Sequence, residues 1–293
     1  MTDGMSADEP MSGVYGRTFW LAYLANSALI LASSLTFRFA ELVHHLGGSE
    51  STAGDIVAFG TAVAVVLRLS VSHVLDDYGT RRLWPACTLL FIAGCVTFLV
   101  LTQLSWVMYA ARAAFFVGLT GMFACSMTHI QNHVPPERRT EIIGNLGSSG
   151  FVGMVLGSNL GDWILGAVND KRTQFVILFG GAAVIGVAYL AIVILLTRDQ
   201  RHTRSGGTPP AYQQLFRFWP GTVVLVAMIM GMAVTATQTF LTRYATSHHI
   251  REIGVFFTGY AISAFMFRLL VQHWSRTLGR HWMLVSGLCG QAV

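Results

Sequence analysis

Long apolar stretches alternate with short polar links along almost the whole chain. A helix needs about 20 mostly apolar residues to cross a bilayer. Such runs fall near residues 18–40, 54–75, 83–103, 106–130, 141–165, 174–196, 219–244 and 252–275, and a ninth opens near 281 and is still running at Val293. The pattern predicts an all-α membrane protein with about eight full helices and part of a ninth. Residues 1–16 are polar and lack the basic start and apolar core of a signal peptide. The longest polar link, 197–218, is rich in Arg, Gly and Pro. It divides the chain into a polar tail (1–16), a six-helix half (17–196), a linker (197–218) and a second, incomplete half (219–293).

One polar cluster occurs twice, each time at the end of an apolar run. Arg68, Leu69, Val71, His73 and Gly79 recur in register as Arg268, Leu269, Val271, His273 and Gly279. The repeat extends upstream: Phe37-Arg38-Phe39-Ala40 ends the first segment and Thr242-Arg243-Tyr244-Ala245 ends the seventh, and a histidine pair follows each, His44-His45 and His248-His249. Internal repeats of several membrane segments mark transporters built from two related halves.

Composition narrows the class further. Hydrophobic residues make up 53% and charged residues 11% of the chain, whereas a soluble domain carries roughly 25% charged residues. The net charge of +5 comes from arginine, Lys171 being the single lysine. These arginines sit in the links, which argues for membrane orientation and against a nucleic-acid partner. With the N-terminus inside, the inner links carry Arg81, Arg82, Arg138, Arg139, Arg198, Arg201, Arg204 and Arg217, and the first outer link has no Lys or Arg. The positive-inside rule therefore predicts a cytoplasmic N-terminus, and the Arg-rich links point to a bacterial cytoplasmic membrane. The four cysteines lie within apolar runs and read as packing residues. The adjacent histidines lack the four-residue spacing of a helical metal pair, so no metal is expected, and no motif requires a cofactor.

From these residues the chain resembles the major facilitator superfamily. That family carries G-x-x-x-D-[RK]-x-G-[RK]-[RK] between its second and third helices. The corresponding stretch, Ser72 to Arg82, matches at Asp76 and Gly79, with the basic pair Arg81-Arg82 displaced by one and Asp77 in place of a basic residue. Antiporter-type members carry G-x8-G-x3-G-P-x2-G-G in the fifth helix. Gly144, Gly153, Gly157 and Gly161 fit that spacing, while Ser158 replaces Pro and Asp162 the last Gly. Gly153, Gly157 and Gly161 share a helix face, which reads either as close packing or as gate geometry in an exporter. The resemblance implies two halves of about two hundred residues and twelve helices, so this chain is expected to be a fragment or a truncated form ending in the ninth.

The family's substrate path runs between the halves, along helices one, four, seven and ten. In segment one, Ser27, Ser34, Arg38 and Glu41 share a helix side, as do Thr235, Gln238 and Thr242 in segment seven. Asn26 and Asn159 are further cavity candidates. Arg112 lies amid apolar residues, where a charge faces a cavity or a partner. It reads as a transport residue or as half of a structural ion pair, the partner being a carboxylate at a helix end. The substrate-path candidates are therefore Asn26, Ser34, Arg38, Glu41, Arg112, Asn159, Gln238 and Arg243. Arg243 belongs with them as the repeat equivalent of Arg38.

The expected function is secondary active transport of a small organic solute by alternating access, coupled to protons as efflux. Uptake by symport is one alternative, and a truncated, non-transporting membrane protein is another. No P-loop points to ATP, and no nucleophile elbow or paired carboxylates point to an enzyme.

Overall fold

A computed structural model of the chain describes residues 16–134, 139–198, 217, 221–250 and 252–274. Among them are eight long membrane-type helices and no strand. The first segment is α1 (Arg17–Leu35), a 3-10 turn (Thr36–Arg38) and α2 (Phe39–His45). There follow α3 (Glu50–Tyr78), α4 (Thr80–Val100), α5 (Trp106–His133), α6 (Arg139–Ala167), α7 (Lys171–Thr197), α8 (Thr222–Ser247) and α9 (Gly254–Trp274). We call the end bearing Gly16 and Gly79 proximal and the opposite end distal. The interior of the 197–218 linker and the ninth segment, with Gly279, lie outside the described residues, as do the side chains of Asp76 and Arg268.

The helices overrun the apolar windows because polar caps extend them. Ser49 accepts from Thr52 N–H at 3.1 Å and so starts α3 ahead of its apolar run. Asp170 accepts from Thr173 N–H at 2.8 Å at the start of α7. Arg172 donates to the carbonyls of Leu99 and Leu101 at 2.6 and 3.0 Å, satisfying the last turn of α4. Gly79 links α3 to α4 with φ 73° and ψ 163°, a region essentially reserved for glycine. The motif's Gly79 thus has a backbone reason. Arg68, Arg81 and Arg82 are exposed near it.

Among the described residues, six helices are long and apolar enough to cross a membrane. The helix α6 is not among them, because its run of Gly and Ser lowers its hydropathy, and the shorter apolar stretch in α9 covers Gly254–Phe267. In the first half α4 packs between α5 and α7, α3 lies on α5, and α1 lies against α6 and α7. Trp84, Phe91, Phe98, Phe115 and Phe179 fill the shared core. The indole of Trp84 donates to Tyr189 Oη at 2.9 Å, so the polar edges of two fully buried rings satisfy each other. Among the second-half helices, α9 packs on α6 from the distal end to the Phe151–Tyr260 ring pair at mid-helix, and α8 meets α2 and the 3-10 turn at the distal end.

Close backbone approach, rather than side-chain bulk, joins α1 to α6. A Cβ on Gly153 would fall on the Ser27 carbonyl oxygen and stand 2.9 Å from Leu31 N, and one on Gly157 would stand 2.7 Å from both Leu31 O and Ser34 Cβ. Gly161, the third of the stripe, meets only Leu178 at 3.8 Å, and Gly144 is half-buried in the proximal part of α6. The shared face therefore divides, with two glycines serving α1 and the next turned to α7. Glycines missed in the sequence do the same for α4 and α5: a Cβ on Gly118 would stand 2.5 Å from Phe91 N, and one on Gly94 2.9 Å from Ala111 O.

Gly153→Ala is expected to lower stability by about 1–3 kcal/mol through overpacking. Gly161→Ala is expected to hold or raise it, by up to about 1 kcal/mol of helix propensity. Melting of the two detergent-solubilised variants checks this, and equal losses would contradict the division of the stripe.

Candidate functional site

The 3-10 turn that breaks the first segment sets the distal cluster. It turns Arg38 inward, where 5% of the residue is exposed. The guanidinium donates to Glu41 Oε1 at 2.9 Å and to Asp162 Oδ1 at 2.6 Å. The other Asp162 oxygen accepts the backbone N–H of Gly254 at 2.6 Å. That N–H is one of the unsatisfied donors at the start of α9. One turn along α6, Asn159 Nδ2 donates to Val155 O at 2.8 Å and to Thr258 Oγ1 of α9 at 3.0 Å. Arg243 donates to Glu50 Oε1 at 2.5 Å. Thr246 Oγ1 comes within 3.4 Å of Glu41 Oε1 but commits its hydroxyl to Thr242 O at 2.9 Å. Beneath these groups Phe37, Ala245, Ile253 and Phe257 form an apolar cluster shared by the two halves.

The remaining candidates fall elsewhere. Asn26 is buried and accepts from Ser126 Oγ at 2.9 Å, leaving its Nδ2 without a partner. Ser34 donates to Ile30 O at 2.8 Å beneath Gly157, so it serves the α1–α6 seam. Gln238 lines a cleft of ≈220 Å³ with Thr237, Met154, Phe256, Phe257 and Tyr260, between α6, α8 and α9. Both histidine pairs are exposed, His44-His45 in the last turn of α2 and His248-His249 in the link after α8, with His45 against Phe175 and His248 against Tyr244.

Arg112 departs from expectation. No carboxylate among the described residues pairs with it. Its guanidinium carbon lies 4.2, 4.5 and 4.9 Å from the ring centroids of Phe39, Phe116 and Phe115. Ring faces carry the negative end of the quadrupole and attract the cation. Its Nε and one terminal nitrogen have no hydrogen-bond partner. The expected carboxylates are engaged at the distal end, Asp162 and Glu41 by Arg38 and Glu50 by Arg243. Phe115-Phe116 following Arg112 was the available signal.

The bundle thus has two halves meeting at one end through charged groups, with a cleft between them and repeat-related arginines at the junction. The family model of the Major Facilitator Superfamily matches residues 18–293. The chain belongs to the Major Facilitator Superfamily. A search of curated proteins gave no significant match. Membership makes the chain an integral, multi-pass membrane protein of a transporter family, in keeping with its apolar helices. The sequence had marked Asp162 as a departure from the superfamily's glycine motif. Its bonds to Arg38 and Gly254 were missed because the contact to α9 joins residues 92 apart and uses a backbone donor.

Arg112→Met is expected to melt no earlier than the parent, because it removes a buried charge while filling the same space among the three rings. Arg112→Ala is expected to lose about 2–4 kcal/mol through the cavity it leaves. Thermal melts of both variants test the assignment.

Proposed function

We propose that the protein is a secondary active transporter that exports a small organic solute by alternating access in exchange for protons. The observation that carries the reading is the uneven junction of the halves. Polar and apolar contacts bind α8 to the first half at the distal end, while Leu225, Met228 and Met232 toward the proximal end are exposed. A cleft closed at one end and flanked by two related halves suits a substrate that enters from one side and leaves by the other. We take the proximal end, with exposed Arg81 and Arg82, as the cytoplasmic face, in keeping with positive-inside orientation and an inner-membrane location in a bacterium. The cleft presents an amide, a hydroxyl, a thioether and aromatic rings with no charged side chain, which favours an uncharged solute.

The test is proton movement in proteoliposomes bearing the full chain and an internal pH dye, challenged with a panel of uncharged aromatic solutes. Exchange predicts protons moving against the solute, and symport predicts both moving together. Proton movement independent of every solute in the panel would refute coupled transport of this class. For a solute that moves, Gln238→Ala is expected to raise the half-saturating concentration about 5- to 30-fold by removing one hydrogen bond.

A further inference from the structure

We propose that the Asp162 carboxylate is a charge-operated latch of the distal end: ionised, it holds the first half to the start of α9, and protonated, it releases that end. The inference rests on the transporter reading above and names the group through which a proton changes the protein's shape.

One carboxyl group occupies the junction. Its Oδ1 receives Arg38 and its Oδ2 receives the Gly254 N–H, each at 2.6 Å. Arg38 and Asp162 belong to the first half and Gly254 to the second. Both bonds require an acceptor. Protonation turns one oxygen into a hydroxyl donor, facing either a guanidinium or an N–H, neither of which can accept. The bond at the protonated oxygen is therefore the more weakened of the two, and the other also loses strength because its acceptor no longer carries charge. The positive end of α9 also prefers an anion beside it.

The surroundings suit release. Arg38 keeps a second carboxylate in Glu41 at 2.9 Å, so neutralising Asp162 does not strand a bare buried cation. The Asn159–Thr258 bond is uncharged and carries no pH response. A cavity of ≈480 Å³ lined by Asn159, Asp162, Trp163 and Glu252 gives water a place beside the carboxylate. Among the described residues, the charged groups around Asp162 are Arg38 on the 3-10 turn, Glu41 on α2 and Glu252 in the α8–α9 link. On adjoining helices Arg243 is held by Glu50, and His45 lies against Phe175 of α7. The sign follows from the bonds: the latch is closed while the carboxylate is ionised and opens when it takes up a proton.

The experiment places nitroxide labels on the full chain at Gly166→Cys, where a side chain meets open space, and at exposed Ser247→Cys, with Cys289→Ser. Cys87, Cys95 and Cys125 are buried. Pulsed spin-resonance distances are then read in nanodiscs at about pH 7 and pH 3, which lie on either side of the ordinary aspartate value of about 3.9. The expected parent shows one short distance at the higher pH. A longer population at the lower pH should drop the closed-to-open ratio by about tenfold or more, as for loss of a charged hydrogen bond. Asp162→Asn should show the longer population at both pH values, and Glu252→Gln should switch as the parent does. A parent with one distance at both values, or an Asp162→Asn protein that still switches, overturns the proposal. If Asp162→Asn does not fold, Glu252→Gln alone decides, because its switch must persist if Asp162 is the latch and loss of the switch overturns it. Solute-coupled proton flux alongside a pH-insensitive distance refutes the latch alone, whereas a switching distance without flux refutes the transporter reading alone.

Discussion

Lipid tails are as apolar as leucine, so a bilayer gives helices no reason to bury leucine against one another. Everything in this bundle follows from that constraint. Helices must hold together by close backbone approach, by interlocked rings and by polar groups that have no better partner nearby. The α1–α6 seam uses Gly153 and Gly157, the α4–α5 seam uses Gly94 and Gly118, and α4 meets α7 through the Trp84–Tyr189 bond. Hydroxyls along the way turn back on their own helices, Thr88 on Trp84 O and Thr197 on Val193 O, and so ask nothing of the lipid.

The arginines show three answers to the problem of a charge in such a setting. Arg38 is shared by two carboxylates, Arg243 takes one, and Arg112 rests among three rings. The first two both stand at the distal junction. The third stays inside the first half. An interior ion pair would require a carboxylate in the middle of a neighbouring apolar helix, where desolvation is costly. Phenylalanine supplies a weaker attraction without that penalty. The paired carboxylates of this chain therefore stand near helix ends, and the charges that join the halves gather there.

Much of the architecture was legible in the sequence. The eight long helices among the described residues and the glycine turn at Gly79 follow from hydropathy and backbone rules acting over a few residues. The site was less legible. Helical spacing put Ser34 beside Arg38 and Glu41, but the 3-10 turn at Thr36–Arg38 changes the register, and Ser34 ends beneath Gly157. The partner of Arg112 was misread because aromatic faces leave no charge pattern in a sequence. Asp162 was visible as an oddity in a glycine motif, yet its meaning depends on where α9 begins, a long-range fact that local periodicity does not contain.

Ser158 stands where the antiporter motif has proline. Its hydroxyl returns to Met154 O at 2.8 Å, and its own N–H remains free to continue the helix. The helix α6 is therefore an unbroken rod from Arg139 to Ala167, welded to α1 along two turns and tied to α9 at its tip. A rod with no joint passes a displacement at one end to the other with little loss. In the proposed transport cycle, slip between the halves falls along the looser borders of α8 and α9, with the first half acting as the anvil against which they move.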